Sequence, residues 1–259
     1  MPHPVLETRG LTIRFGGHVA VDAVSAAFQA GTLTAIVGPN GAGKTTYFNL
    51  ISGQLPASAG NVLLDGVDIT KLGAAARAKR GIGRAFQLTN LFPNLSVEEN
   101  VRLAVQSASG VHYDMLHPWM TRKDLIARAD AILDGVALGN RRNVAATALS
   151  HGDQRKLEVA LMMALEPKVF MFDEPTAGMS VDEVPVVLDL IAELKQDKSK
   201  IILLVEHKMD VVRSLADRII VLHNGALVAD GAPAEVIASP VVQQAYLGLG
   251  AEDAAEPSR

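Results

Sequence analysis

Eight residues, GPNGAGKT from Gly38 to Thr45, are compatible with only a few folds. They match the pattern G-x-x-x-x-G-K-[ST], between a strand-like run, TLTAIV, and a helix-like run, KTTYFNLISG, that ends at Gly53. Glycines here let backbone N–H groups turn inward and surround phosphates at the positive end of the helix. The alternative is a glycine-rich turn with a surface lysine, but all fixed positions are filled and both flanks fit. The stretch predicts a nucleotide site.

The side chains of this loop suggest their own roles. Lys44 is long enough to reach the β- and γ-phosphates, and the Thr45 hydroxyl is a ligand for Mg²⁺. We expect the nucleotide to contact a continuous run of residues, namely Gly38, Pro39, Asn40, Gly41, Ala42, Gly43, Lys44, Thr45 and Thr46.

Two carboxylates follow a second buried strand, VFMF. Nucleotides bind at the carboxyl edge of a parallel sheet, so Asp173 is predicted to hold Mg²⁺ through water. Glu174, one residue later, suits a general base that polarises the attacking water. His207 follows the run IILLV and Glu206, from which it can reach the γ-phosphate. The alternatives are two solvated carboxylates and an ordinary surface or core histidine.

Overall composition excludes several classes of protein. The formal net charge is −4 for 259 residues, so the chain lacks the basic surface expected of a nucleic-acid-binding protein. The absence of cysteine excludes disulfides, thiolate zinc sites and a cysteine nucleophile. The apolar runs have the length of strands rather than of membrane spans, and the first ten residues do not resemble a secretory signal. We therefore expect a cytoplasmic protein with no nucleic-acid partner.

Strand-like and helix-like runs alternate along most of the chain, which predicts an α/β fold with a mainly parallel core sheet. Residues 5–29 have the pattern of two strands joined at Gly16 and Gly17, which predicts an N-terminal antiparallel β subdomain. Residues of about 92–165 are mostly helical and predict an inserted helical subdomain, with Ser96 and Glu99 in the spacing of a capping box. We expect one domain over residues 1–250 and a flexible tail over 251–259.

The run LSHGDQ, residues 149–154, begins another helix, with Ser150 and Asp153 spaced as a cap. Taken with GPNGAGKTT, Gln87, FDEPTAG and EH at 206–207, it occurs in the order and spacing of ATP-binding cassette (ABC) transporter ATPases. The chain resembles that family over nearly its whole length. The resemblance implies a P-loop NTPase fold, with ATP and Mg²⁺ as cofactors.

The resemblance also assigns a role to LSHGDQ, which corresponds to the family's signature motif and acts on ATP held by the other subunit. It implies a second ABC ATPase subunit, the same or a homologous chain, whose γ-phosphate meets Ser150 and Gly152. A free helix N-terminus with Ser150 and the Gly152 backbone exposed is physically suited to an anion.

Three further residues take roles from the resemblance. Gln87 is expected to sense the γ-phosphate and Mg²⁺, and His207 to be the switch histidine. Phe15 matches the aromatic residue that stacks on adenine; its alternative is a core residue.

The sequence departs from the family pattern at two positions. Asp153 stands where the signature often has Gln, which puts the contacts to the partner's ribose in doubt. Ser180 stands where many relatives carry Asp, so that residue's role across the dimer is not transferred. Ser180 and Glu183 have capping-box spacing, which is an adequate structural reason for the serine.

Within the family, LSHGDQRKLEVA and the ending EVIASPVVQQAYLG resemble the ATPases of branched-chain amino acid importers and their urea and amide relatives. This resemblance implies integral membrane permease subunits, a solute-binding protein acting indirectly, and a peripheral place on the cytoplasmic face of the inner membrane. Two alternatives remain open at this point: an exporter ATPase for lipid or polysaccharide, and a soluble ABC ATPase of DNA repair or translation.

Overall fold

The computed structural model describes residues 5–85, 91–109, 122–240 and 242–244. Its strands are β1 (Val5–Phe15), β2 (His18–Gln29), β3 (Leu33–Val37), β4 (Ala59–Leu64), β5 (Val67–Asp68), β6 (Ile82–Ala85), β7 (Val169–Asp173), β8 (Ile201–Val205), β9 (Arg218–His223) and β10 (Ala226–Gly231). Its helices are α1 (Lys44–Ser52), α2 (Ala74–Ala78), α3 (Val97–Ala108), α4 (Lys123–Gly135), α5 (His151–Leu165), α6 (Val184–Leu194), α7 (Met209–Leu215) and α8 (Pro233–Ala238).

The central sheet has the strand order β10-β9-β3-β8-β7-β6. All neighbouring pairs are parallel except β10 with β9, so the prediction of a mainly parallel core sheet is confirmed. Every residue of β3, β7 and β8 is buried. This burial on both faces explains why those runs are apolar throughout rather than alternating.

A second sheet is antiparallel and has the order β2-β1-β4-β5. Its first hairpin pairs Val5 with Gln29 and Phe15 with His18, as the two predicted strands require. Gly16 makes the turn with a φ of 58°, which glycine adopts without strain. Since β4 and β5 follow α1 in the chain, this sheet is assembled from two separate segments.

The predicted helical segment contains α3, α4 and α5, which pack on one another. Helix α3 begins with the expected capping box: the Ser96 hydroxyl accepts from the Glu99 N–H, and the Glu99 carboxylate accepts from the Ser96 N–H. The three helices bury a shared apolar face, represented by Val101, Leu133 and Leu157. In the described residues, no helix has both the length and the hydropathy needed to cross a bilayer.

Helix α1 ends where the sequence predicts, at Gly53, whose φ is 78°. Its last carbonyls are satisfied by Arg77, which is only 2% exposed and donates to the carbonyl oxygens of Leu50 and Ile51, both at 2.6 Å. Burial lowers the pKa of Arg77 to about 10. The end of α1 is therefore anchored by one guanidinium.

Helix α6 is shorter than the run VDEVPVVLDLIAEL suggested, because it begins at Val184 rather than at Val181. Proline is tolerated only in the first turn of a helix, and Pro185 would be the fifth residue of a helix starting at Val181. Half of the expected capping box is present, since the Glu183 carboxylate accepts from the N–H and hydroxyl of Ser180. The Glu183 N–H bonds the Ser180 carbonyl instead of its hydroxyl.

The domain bounds 1–250 remain a prediction, and residues 251–259 lie outside the described part.

Candidate active site

The loop between β3 and α1 needs glycine at three places, for two different reasons. A Cβ added at Gly38 or Gly43 would overlap the backbone carbonyl of Leu222 or Ala20, so both are fixed by close packing. Gly41 has a φ of 78° and no neighbouring atom within 4 Å of such a Cβ. The loop therefore packs closely against the protein at Gly38 and Gly43 and is unobstructed at Gly41. A loop that binds phosphate needs such an open side.

Exposure varies along the predicted contact run. Asn40, Gly41 and Thr45 are exposed, Pro39 and Thr46 are intermediate, and Gly38, Ala42 and Lys44 are buried. The Ala42 N–H donates to the Pro39 carbonyl at 3.2 Å, which closes the turn of the loop.

Lys44 lies inside this loop and is only 7% exposed. Its ammonium donates to the carbonyl oxygens of Gly38 at 2.7 Å and Pro39 at 2.9 Å. Burial lowers the pKa of Lys44, and the charges of Glu174 and Asp173 partly oppose that effect. Lys44, which is predicted to bind phosphate, therefore interacts electrostatically with Asp173 and Glu174, the two predicted catalytic and metal-binding carboxylates.

Asp173 is the last residue of β7, and its side chain is 6% exposed. Its Oδ2 accepts from Arg84 Nη2 at 2.7 Å, and the Arg84 side chain is equally buried. Arg84 Nη1 donates to Asn49 Oδ1 at 2.6 Å and to Ser52 Oγ at 3.0 Å, both on α1. A single guanidinium therefore joins Asp173 to the helix that follows the phosphate loop.

Glu174 and His207 face each other from neighbouring strand ends. Glu174 Oε1 lies 4.0 Å from His207 Nδ1, and the side chains are 43% and 52% exposed. Glu174 has a φ of 50°, a left-handed conformation that is uncommon for residues other than glycine. Its N–H donates to the Val205 carbonyl at 2.9 Å, which holds this turn against the end of β8.

Strand order explains why these residues meet. The phosphate loop follows β3, His207 comes shortly after β8, and Asp173 ends β7; these three strands are adjacent and parallel. Their carboxyl ends share one edge of the sheet, as expected for a nucleotide site.

Ser150 is the N-cap of α5, and its hydroxyl accepts from the Asp153 N–H at 3.1 Å. Ser150 is exposed as expected, but Gly152 is buried. The expectation that the Gly152 backbone is exposed is wrong, because the Glu183 carboxylate lies against it, where a Cβ would overlap. Helix α5 packs on α3, α4, α6 and β6, whereas α1 packs on α2, β2, β6 and β7. Helix α5, which begins with the predicted signature motif, therefore belongs to the helical segment, whereas α1 packs on the core sheet.

Asp153, at the departure from the family pattern, pairs with Lys156 at 2.9 Å and lies 4.0 Å from Arg141. The ion pair with Lys156 is an adequate structural reason for an aspartate at position 153 within one protomer.

Phe15 ends β1, and it is 50% exposed. The alternative of a core residue is therefore wrong for Phe15, which is a half-exposed aromatic residue at the end of an antiparallel strand. Gln87 lies outside the described residues.

Sequence reasoning missed two side chains that the structure brings to this region, Arg84 and Thr176, and it gave Glu183 only a capping role. Arg84 was signalled by a cation inside the strand-like run RGIGRAFQ, and Thr176 by its place two residues after Glu174. Neither signal names the bonding partner, which depends on strand order.

Comparisons with known proteins identify the family of the chain. The family model described as ABC transporter matches residues 21–177. The chain is 37% identical over 253 residues to the high-affinity branched-chain amino acid transport ATP-binding protein BraF of Pseudomonas aeruginosa, covering 96% of this chain and 99% of BraF. It is 36% identical over 253 residues to the corresponding LivG protein of Escherichia coli K12, again covering 96% of this chain and 99% of the relative.

Solved structures extend the comparison to the fold. The ADP-bound crystal structure of MJ1267, an ATP-binding cassette of an ABC transporter, matches with a TM-score of 0.79 and 28% identity, over 95% of this chain and 99% of that one. The nucleotide-free structure of an ATP-binding cassette matches with a TM-score of 0.78 and 28% identity, over 94% and 98%. The chain belongs to the ABC transporter family as one of its ATP-hydrolysing ATP-binding cassettes.

Proposed function

We propose that this chain is the ATP-hydrolysing subunit of an importer for branched-chain amino acids. The supporting observation is the near-complete overlap with relatives named as high-affinity branched-chain amino acid transport ATP-binding proteins, which spans 96% of the chain. In this proposal the chain is peripheral on the cytoplasmic face of the membrane, and permease subunits span the bilayer. A solute-binding protein acts on it only through those permeases.

In our proposal for the hydrolytic site, each of four residues has its own role. Lys44 and the N–H groups of the loop bind the phosphates, and Phe15 stacks on adenine. Glu174 accepts a proton from the attacking water, and His207 contacts the γ-phosphate from the neighbouring strand end.

For Mg²⁺, the oxygen donors present are the Thr45 hydroxyl and the Asp173 carboxylate, with Gln87 as a further ligand. Mg²⁺ is usually held by one or two carboxylates plus phosphate oxygens and water rather than by an all-protein cage. This fits the described residues, in which no group of three His, Asp or Glu side chains could hold a metal alone. When bound, the ion neutralises charge on the phosphate oxygens.

We further propose that Ser150 and Gly152 act on ATP held by a second cassette. Two features support this: Ser150 is exposed, and it is the N-cap of α5, so the positive end of that helix lies beside it.

The permease contact is proposed at a groove of about 410 Å³ between the helical segment and the core sheet. Phe92 and Leu165 line it and are 55% and 46% exposed, which gives it an apolar rim. Arg84 also lines the groove, and it bonds Asp173 directly. A partner seated there would touch a residue one hydrogen bond away from the proposed metal site.

Uptake measurements test the transported solute. A strain deleted for this chain should lose uptake of labelled leucine, isoleucine or valine and regain it from a plasmid copy. Intact uptake of all three would disprove the proposal. Loss of urea or short-amide uptake instead would redirect it to those relatives, and unchanged uptake with altered envelope lipid or polysaccharide would favour an exporter.

A mixed-dimer experiment tests the action of the signature on the partner. Lys44→Ala removes the phosphate-binding ammonium, and Ser150→Arg blocks the start of α5, so each homodimer should be nearly inactive. A mixed dimer holds one composite site with both defects and one with neither, and mixing should restore part of the ATPase activity. Provided that one intact site suffices for hydrolysis, no recovery in crosslinked mixed dimers would show that the signature acts within its own chain.

A further inference from the structure

Glu206 is a carboxylate with no exposed surface, at the end of β8 beside the proposed site. Its Oε1 accepts from the Thr176 hydroxyl at 2.7 Å, and Thr176 is also fully buried. Its Oε2 accepts from the backbone N–H groups of His207 at 3.1 Å and Lys208 at 3.4 Å. One carboxylate thus bonds both loops that carry the hydrolytic residues.

Burial of a carboxylate is costly unless hydrogen bonds satisfy it, and a buried apolar residue at this place would avoid that cost. The three donors supply the required bonds, and two of them are the amides that direct the His207 loop into α7. The third comes from the other loop, two residues beyond Glu174. The Glu206 carboxylate therefore connects the loop of Thr176 to the loop of His207 through hydrogen bonds.

The joined loops carry side chains that are partly exposed. Glu174 and His207 are 43% and 52% exposed, and His207 Nδ1 lies 4.0 Å from Glu174 Oε1 and 3.9 Å from Glu206 Oε2. The relative position of the two side chains also depends on the backbones from which they project. Those backbones are connected at two places: the Glu174 N–H to the Val205 carbonyl, and Thr176 to Glu206. Only the second connection is made by side chains and can be changed by mutation without altering the backbone.

We propose that Glu206 and Thr176 are positioning residues, whose buried hydrogen bond fixes the loop of Glu174 relative to the loop of His207. This inference rests on the proposed hydrolytic roles of Glu174 and His207. It predicts that the hydroxyl of Thr176, rather than its volume, supports turnover.

The test compares Thr176→Val, which keeps the volume and removes the hydroxyl, with Thr176→Ser, which keeps the hydroxyl. Loss of a buried hydrogen bond to a charged group should lower kcat of Thr176→Val about tenfold, with KM for MgATP within about twofold of the parent value. Thr176→Ser should retain kcat within about threefold, as expected for a small buried change that leaves the bond intact.

A second measurement does not depend on hydrolysis. In nucleotide-free protein, amide hydrogen exchange at His207 and Lys208 should be about tenfold faster in Thr176→Val than in Thr176→Ser. Equal kcat for both variants and the parent would overturn the proposal, as would equal losses in both variants or a lowered Tm with unchanged kcat. If Glu174→Gln instead hydrolyses ATP at the parental rate, the role of Glu174 fails, while faster exchange would still show that the bond joins the loops.

Discussion

Replacement of Arg84 by Met should destabilise the nucleotide-free protein strongly. The Arg84 and Asp173 side chains are each 6% exposed and are joined at 2.7 Å, so the replacement leaves a buried carboxylate without its counter-charge. The guanidinium also stacks over the Phe48 ring, 5.5 Å from its centroid. Methionine keeps much of the apolar volume of the side chain, so the loss measured is mainly that of charge and hydrogen bonds.

Removal of one partner of a buried ion pair costs about 3–5 kcal/mol. For a chain of 259 residues, a melting entropy of about 2.1 cal/mol/K per residue gives about 0.5 kcal/mol/K. The expected fall in Tm is therefore about 6–10 °C. The matched control is Arg9→Met, because Arg9 also pairs with a carboxylate, Glu7, at 2.6 Å but is 62% exposed. Exposed pairs contribute about 0–1 kcal/mol, so the control should melt within about 2 °C of the parent.

The assay is calorimetry of Arg84→Met, Asp173→Asn, the double variant and Arg9→Met, without nucleotide. Asp173→Asn removes the charge that Arg84→Met leaves unpaired, so the double variant should lose less stability than the sum of the single losses. Coupling between contacting residues is typically about 0.5–3 kcal/mol. Additive losses, or an Arg84→Met protein that melts with the Arg9→Met control, would refute the view that Arg84 compensates the charge of Asp173.

Three further predictions concern the proposed site and groove. Glu174→Gln should bind MgATP with parental affinity and hydrolyse it about 10²–10⁴-fold more slowly, measured by nucleotide binding and phosphate release; parental turnover would exclude Glu174 as the base. Phe15→Ala should weaken ATP binding by about 1–3 kcal/mol while Phe15→Tyr retains it, and calorimetric titration showing equal affinities would remove Phe15 from the site. Glu158, a buried residue of α5, lines the groove and pairs with Arg155 at 3.1 Å. Burial raises the pKa of Glu158 and outweighs the opposing effect of Arg155, so the native state holds this proton to higher pH than the unfolded chain, and the group lowers stability as pH rises above about 4.3. Glu158→Gln should therefore gain stability relative to the parent at pH 7 but not at pH 4 in urea unfolding, and an equal difference at both pH values would contradict this.

Local patterns predicted most of the strands and helices because their causes are local. The apolar runs of β3, β7 and β8 are buried strands, and the Ser96 box and Gly53 mark helix ends as expected. The predicted start of α6 at Val181 is three residues too early, since the helix begins at Val184, one residue before Pro185. The rule that proline occupies only the first turn would have corrected it from sequence alone.

Contacts inside the candidate site could not be predicted in the same way. Arg84 bonds a carboxylate 89 residues away, and Thr176 bonds one 30 residues away. Both bonds exist because β7 lies between β6 and β8 in the sheet. Strand order is a property of the whole fold, so a motif can predict a metal-binding role for Asp173 without revealing that Arg84 pairs with it.

Gly152 shows how a local pattern can identify a residue and still misplace it. The helix start at Ser150 predicted an open anion site, and the Ser150 cap is present. What closes the Gly152 side is Glu183, a residue of another loop whose carboxylate is held by the N–H and hydroxyl of Ser180. A Cβ at position 152 would overlap only the end of the Glu183 side chain, which is flexible, so this contact buries Gly152 without requiring a glycine there. The burial of Gly152 in one protomer thus depends on the position of a single side chain, and the action of the LSHGDQ segment on a partner's phosphate is tested by the mixed dimer rather than by the residue type.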